Sequence, residues 1–432
     1  MSPVESNSPT RRKPDRILIA TIGSLGDLHP CLALAIELKR RGYRVTIGST
    51  PYYRSRVEAL GIAFQSIRPD WNPTDPELIR QCEDLKKGPE VLYRKMVLPQ
   101  LRNTYTDLLS VAKAADLMIA GELLYAAPLV AEKLRLRWVS AILSPFSFFS
   151  SFDPSVMVNL PSLIHLRKLG PSAYRMGLNI GRLAVRHWSN PVRDLRRAEG
   201  LQPECDPVFR DKFSRHLVLA LFSRCLAEPQ PDWPKQTVQP GFVFLDDQAS
   251  ETSLPPQLSS FLGSGDPPVV FTQGSTAVHN PGDFYATSVA AARRLQKRAL
   301  LIGVATAPGL DSSDVLALPY AKYSQVFPYA AINVHQGGSG TTGEAFRSGR
   351  PMLVVPYGWD QPDNATRVQR LGVGLHLARN CYTVDTATSA LTELLKNVQF
   401  SHRAAGVRAR LTAENGLAAA CTVIESILTG AQ

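Results

Sequence analysis

The chain has 432 residues, 44% of them hydrophobic and 20% charged, with a formal net charge of +11 at pH 7. That length exceeds one ordinary core and predicts two domains, while the composition excludes collagen-like and low-complexity chains. No apolar run reaches the roughly 20 residues that span a bilayer, and six scattered cysteines with no CxxC or metal spacing point to reduced thiols in a cytoplasm.

Residues 1–15 are polar and lack the apolar segment of a signal peptide, so a disordered tail is expected there. Residues 16–22 form a buried-strand pattern that runs into the loop GSLGDLHP. A helix is expected over about 30–41, with Leu32, Ala35, Ile36 and Leu38 apolar and Gly42 ending it. A strand at 44–48, a helix at 53–60 and a strand at 62–67 follow. Strands alternating with helices predict a parallel, doubly wound sheet. Residues 70–76 read as a loop, 89–115 show helical spacing, and strands are expected at 117–120 and 138–143. Residues 144–170 are rich in Phe, Pro and Ser; helices are expected within 172–199 and the last strand of the first domain at 216–222. Basic residues crowd 167–215, among them Arg182, Arg186, Arg193, Arg196 and Arg197. A solvated helical face fits that charge, and so does a patch that meets an anionic membrane or an acidic acceptor. No nucleic-acid-binding module accompanies it.

The first domain is expected over 16–240, a linker over 241–261, a second domain over 262–411 and a terminal helix within 412–432. In the second domain a strand at 268–272 exits into Gln273-Gly274-Ser275-Thr276, then come a helix at 283–297 and a strand at 299–304. A short buried strand at 331–334 leads to His335 and then to Gly337, Gly338, Ser339, Gly340, Thr341 and Thr342. A helix closed by Gly349 and a buried strand at 352–355 complete the unit, with Asp360 and Gln361 just past its carboxyl end. A Gly-rich turn lets backbone N–H groups approach an anion, and a helix N-terminus adds a favourable dipole. A diphosphate fits there, with His335 donating a hydrogen bond to it. Glu344, nine residues after His335, suits both hydroxyls of a ribose. Asp360 and Gln361 suit the hydroxyls of a sugar, at the edge where ligands of open α/β sheets bind. The competing reading is an ordinary βαβ turn with a satisfied histidine.

With His335, Gly337 to Thr341, Glu344, Asp360 and Gln361 in register, and with GSLGDLHP ahead of them, the chain resembles the GT-B glycosyltransferases of the UDP-glycosyltransferase superfamily (families 1 and 28). HQGGSGTT is closer to the bacterial sterol-glucosyltransferase and rhamnosyltransferase branch than to the plant branch, whose Cys-Gly-Trp-Asn-Ser wording is missing. The resemblance implies an α/β fold of GT-B type, two Rossmann-like doubly wound parallel-sheet domains facing across a cleft. It implies an inverting, metal-independent hexosyltransferase. A UDP- or dTDP-sugar is its cosubstrate, no cofactor is needed, and the acceptor is a hydroxyl of a small hydrophobic, lipid-like or aromatic molecule.

The same resemblance carries the catalytic base to Asp27, after Gly26; His29 is the rival base, and a helix-capping role for Asp27 is the structural alternative. Gly23 and Gly26 serve the tight turn, with Gly26 on the donor side. Glu122 falls near a carboxylate that orients the base in some members, or is a plain surface carboxylate. Gly274, Ser275 and Thr276 resemble a loop that contacts the donor phosphates. Tyr320 falls at the base-stacking position, with Tyr323 as the alternative, and Val326 supplies backbone contacts. Phe146, Phe148 and Phe149 fall at the acceptor pocket, or are core. The last helix packs back on the first domain, and the 167–215 patch allows peripheral membrane contact. Three readings from other classes stand beside this one: a nucleotide-sugar epimerase, a non-catalytic nucleotide-sugar-binding subunit, and a basic membrane-surface protein with a vestigial site.

Overall fold

A computed structural model describes residues 15–84, 86–157, 163–246, 254–304 and 312–430. All but one residue of the expected N-terminal tail, and part of the expected linker, lie outside them. The described strands form two all-parallel sheets. The first contains β1 (Arg16–Ala20), β2 (Arg44–Ser49), β3 (Ala63–Ser66), β4 (Leu117–Gly121), β5 (Trp138–Ile142), β6 (Leu217–Ala220) and β7 (Thr237–Val238), in the order β3-β2-β1-β4-β5-β6-β7. The second contains β8 (Val269–Thr272), β9 (Ala299–Ile302), β10 (Val315–Leu318), β11 (Ile332–His335), β12 (Met352–Val354) and β13 (Gly374–His376), in the order β10-β9-β8-β11-β12-β13.

These strands read as near-continuous apolar runs because helices cover both faces. Ile17 and Ile19 point into one core cluster while Leu18 and Ala20 point into another, as the two-residue side-chain period requires. Each sheet reverses its winding once, between β1 and β4 and between β8 and β11. A crevice opens at such a switch point, outside the carboxyl ends of the strands. The loops after β1, β4, β8 and β11 leave the sheets at these two points.

Three expectations need correction. The first helix spans Leu25–Arg40 and does not wait for Pro30, which lies inside it. Ser24 is its N-cap and forms a reciprocal capping box with Asp27, so the helix starts at the earlier signal. The first sheet does not end at β6, since β7 follows within the Pro-rich approach to the linker. A strand, β10, also occupies 315–318, where no element is expected; it is the edge strand, short and paired only with β9.

The two halves are joined in several places. The final helix, Gly416–Thr429, buries Ala420, Cys421, Ile424 and Ile427 in a core of the first domain. Arg41 fixes it there, bonding Glu425 at 2.7 Å and the Ala418 carbonyl at 3.1 Å. Asp153 of the first domain pairs with Arg367 and, at 3.0 Å, with Arg370 on the Gln361–Leu371 helix. The six cysteines are free thiols.

Candidate active site

The first-domain wall is built by the loop after β1. Asp27 is the third residue of its helix and only partly open to solvent. Its Oδ2 accepts the Ser24 backbone N–H at 2.8 Å and the Ser24 hydroxyl at 3.1 Å. Burial pushes the carboxyl up to about 6, against the lowering by the Ser24 hydrogen bonds, and the charges of Glu122 and Asp360 raise it further. Asp360 belongs to the other domain, so the cleft is narrow enough for the two carboxylates to sense each other. Gly23 holds φ +134°, and a Cβ there would stand 2.4 Å from the Asp27 carboxylate; only glycine lets the loop close over this side chain. Glu122, at the end of β4, pairs with the buried Lys212 at 3.3 Å. His29 sits two residues beyond Asp27, with Nε2 3.3 Å from Arg56, and is not among the residues that line the cleft.

The second-domain wall is the turn after β11. His335 is fully buried at the strand's end. Its Nδ1 accepts the Gly337 backbone N–H at 3.0 Å, which leaves the ring proton on Nε2. Nε2 has no partner among the described residues. Burial lowers the imidazole to about 3, so the ring is neutral and its N–H is an unmet donor. The helix Ser339–Ser348 begins at Gly338 with no side-chain cap, so its first N–H groups are open to an anion. Asp360 Oδ2 accepts from Ser339 Oγ at 2.9 Å and from Asn364 at 2.8 Å, tying this helix to the next. Gln361 Oε1 accepts the Tyr357 and Gly358 N–H groups and fixes the turn before it. Glu344 lies further along the helix, 3.8 Å from Arg347, with Oε2 buried and without a hydrogen-bond partner among the described residues. Burial raises its carboxyl to about 7.

One cavity of about 540 Å³ joins the two walls. Asp27, Glu122 and Gly26 bound it on one side. Ser275, Thr276, Gly338 to Thr341, Asp360 and Gln361 bound it on the other, whereas Gly274, His335, Gly337 and Glu344, expected on the donor side, do not line it. Phe146 and Phe149 line it, whereas Phe148 does not: it is core, stacked on Trp233 at 4.1 Å and on Phe213 at 5.4 Å. Of the residues expected to hold a base, Tyr320 is 61% exposed and Val326 is fully buried, and neither faces the cavity. Tyr323 bonds Thr272 at 2.9 Å and stacks on Phe327. Gly274 holds φ +69°, and a Cβ there would collide with the Gln336 amide, so the loops after β8 and β11 pack backbone against side chain.

Some cavity residues carry no local sequence signal. Lys212 is buried between the Phe149 and Phe213 rings, with its ammonium about 5 Å from each. Glu83 is buried in the wall, 3.9 Å from Arg379, and burial raises its carboxyl to about 7 against the lowering by Arg379 and Asn280. Trp359 lines the cavity beside Asp360 in a left-handed backbone conformation, φ +59°, which a bulky residue rarely adopts.

Comparison with known proteins adds to this geometry. Residues 17–146 match the glycosyltransferase family 28 N-terminal domain, and 315–422 match the erythromycin biosynthesis protein CIII-like C-terminal domain. The chain is 30% identical over 427 residues to O-mycaminosyltylonolide 6-deoxyallosyltransferase of Streptomyces fradiae, covering 95% of this chain and 97% of that one. It is 27% identical to vancomycin aglycone glucosyltransferase of Amycolatopsis orientalis, covering 95% and 98%. Among solved structures, the kitacinnamycin glycotransferase superposes with a TM-score of 0.70 at 21% identity, covering 96% and 99%. The spinosyn rhamnosyltransferase complexed with thymidine diphosphate superposes at 0.67 and 18%, covering 95% and 100%. The fold is thus that of the GT-B glycosyltransferases.

Proposed function

The chain belongs to the glycosyltransferase family of the Streptomyces fradiae 6-deoxyallosyltransferase, and within that family we propose that it moves a hexose from a UDP- or dTDP-sugar to a hydroxyl of a bulky, largely apolar acceptor. The observation that carries this reading is the shared cavity, with Asp27 on one wall and an uncapped helix N-terminus on the other. The names of the relatives support it: they transfer deoxyallose or glucose to O-mycaminosyltylonolide or vancomycin aglycone.

The diphosphate lies at the Gly338–Thr341 N–H groups with the Ser275 and Thr276 loop beside it. Asp360 and Gln361 face the sugar, and Glu344, which is buried and not on the cavity wall, takes the ribose hydroxyls only once its side chain turns outward. The acceptor rests against Phe146 and Phe149 with its hydroxyl near Asp27. Asp27 accepts the hydroxyl proton as the oxygen attacks the anomeric carbon from the face opposite the diphosphate. The bond from that carbon to the diphosphate oxygen breaks, and the electron pair leaves with the nucleotide. Direct displacement inverts the anomeric centre. The His335 Nε2–H and the helix amides stabilise the charge that develops on the leaving group, and such preorganised donors commonly supply the largest catalytic contribution. Burial raises the Asp27 carboxyl to about 6, which makes its carboxylate a stronger base than a free aspartate. Ser24 points its carboxylate, and Glu122, engaged by Lys212, contributes through its charge.

The test pairs UDP-glucose, dTDP-glucose and dTDP-rhamnose with a panel of polycyclic, macrocyclic and aliphatic alcohols. Products are read by mass spectrometry and the new linkage by proton NMR. One glycosylated alcohol with an inverted anomeric centre is expected. A retained configuration, or donor binding with no transfer to any alcohol, overturns the reading.

A further inference from the structure

The helix Pro171–Val185 has two working faces. Its inner face buries Tyr174 and lends Leu178, Gly181 and Val185 to the cavity. Its outer face carries Met176, Ile180 and Leu183, spaced four and three residues apart and so on one stripe. They are 61%, 62% and 67% exposed, and Leu169, two residues before the helix, is 73% exposed. A contiguous apolar stripe on a surface helix is costly in water and marks a contact site.

Charge says what the contact is. Between Asp153 and Asp194 the sequence has no acidic residue but carries Arg167, Lys168, Arg175, Arg182, Arg186 and Arg193. Arg182 turns inward to Asp206. Arg167, Lys168 and Arg186 are exposed on the same segment as the apolar stripe, while Arg175, also exposed, bonds Ser151 Oγ at 3.1 Å and lies over the Phe152 ring. Apolar residues on one stripe with cations beside them describe a helix that lies in a lipid interface and favours anionic headgroups. A second copy of this chain would bring the same cations against each other, which disfavours self-association through this face. No described helix is long and apolar enough to cross a membrane, so the contact is a surface one.

We propose that the outer face of Pro171–Val185, with Leu169 and the exposed cations Arg167, Lys168 and Arg186, docks on an anionic bilayer surface. The helix then stands between the lipid and the cavity. An apolar acceptor dissolved in the bilayer reaches the cavity past one helix, a consequence that rests on the function proposed above. The docking itself does not.

The experiment is co-sedimentation of the full chain with vesicles of phosphatidylcholine alone and of phosphatidylcholine with phosphatidylglycerol, at low and high salt. Two variants are compared, Met176→Ser/Ile180→Ser/Leu183→Ser and Arg167→Gln/Lys168→Gln/Arg186→Gln. The wild type is expected to partition onto the anionic vesicles only, and each variant to lose about tenfold or more of that partitioning. Thymidine diphosphate affinity of the variants, measured by calorimetry, should equal that of the wild type, which shows intact folding. No sedimentation with anionic vesicles overturns the proposal. So does equal binding to neutral vesicles. A wild-type dimer in ultracentrifugation that the serine variant abolishes also overturns it, because the stripe is then covered by a second copy. None of these outcomes bears on donor binding, so failure here is separate from failure of the transferase reading.

Discussion

At the scale of single residues, two side chains have properties that their surroundings force. Asp27 is an acid raised from 3.8 to about 6, mainly by burial. Its carboxylate is needed as base, so kcat/KM should rise with pH through about 6 and then level off. The stability effect has the opposite sign. Between about 4 and about 6 the folded chain binds a proton that the unfolded chain has lost, so stability falls as pH rises through that window. Melting temperature against pH for the wild type and Asp27→Asn checks this: the variant should show a shallower fall, the remainder coming from Glu83 and Glu344, whose carboxyls burial also raises. His335 is neutral across the working range, and its Nε2–H is unpartnered. His335→Ala should lower kcat by about a hundredfold, as loss of one preorganised donor does, with little change in the pH profile. The placement of both residues was legible in the sequence because each stands where a buried apolar strand runs into a Gly-rich loop. Lys212 was not, because one of the two rings that flank it, Phe149, stands far away in the sequence and leaves no local pattern beside the lysine.

At the scale of elements, the loops follow from where each sheet reverses. Strand periodicity was readable because parallel strands are buried on both faces and so run apolar without a break. The edge strand β10 was not, since only one partner holds it and its sequence runs straight into a polar loop. The first helix shows two start signals in competition: Ser24 with Asp27 outweighs Pro30, because a satisfied capping box nucleates the turn that the proline then tolerates. Phe146, Phe148 and Phe149 show the limit of composition. Three aromatic residues in four positions cannot all face one cavity, and Phe148 turns to the Trp233 and Phe213 stack. The loop after β8 gives a test at this scale. Gly274→Ala would strain the backbone at φ +69° and drive a Cβ into the Gln336 amide. Stability should drop by about 1–2 kcal/mol by urea denaturation, and the affinity for thymidine diphosphate should fall with it.

At the scale of the whole molecule, the domains are held together by more than the linker. Arg367 is buried between Asp363, at 2.8 Å, and Asp153 from the other half. Asp363 also accepts the Val156 backbone N–H at 2.9 Å, a second bond across the halves. Arg367→Ala leaves both carboxylates without their main partner and should cost about 3 kcal/mol or more, seen as a lower denaturation midpoint. Removing residues 416–432 would expose the first-domain core around Ile424 and Ile427 and should lower the melting temperature and cause aggregation. Fold class and the crossing of the last helix follow from repeated strand–helix alternation and from the resemblance. The ion pairs that set the cleft's width do not, because no local pattern tells Arg367 that its partner stands 214 residues earlier.

The transferase reading depends on a proton acceptor in one half meeting a diphosphate site in the other. The most direct measurement is made on Asp27→Asn, with thymidine or uridine diphosphate affinity by calorimetry and sugar transfer by single-turnover kinetics on the same sample. Affinity should stay within about twofold while transfer falls by about 10²–10⁴. Transfer at the wild-type rate with the nucleotide fully bound would contradict the account.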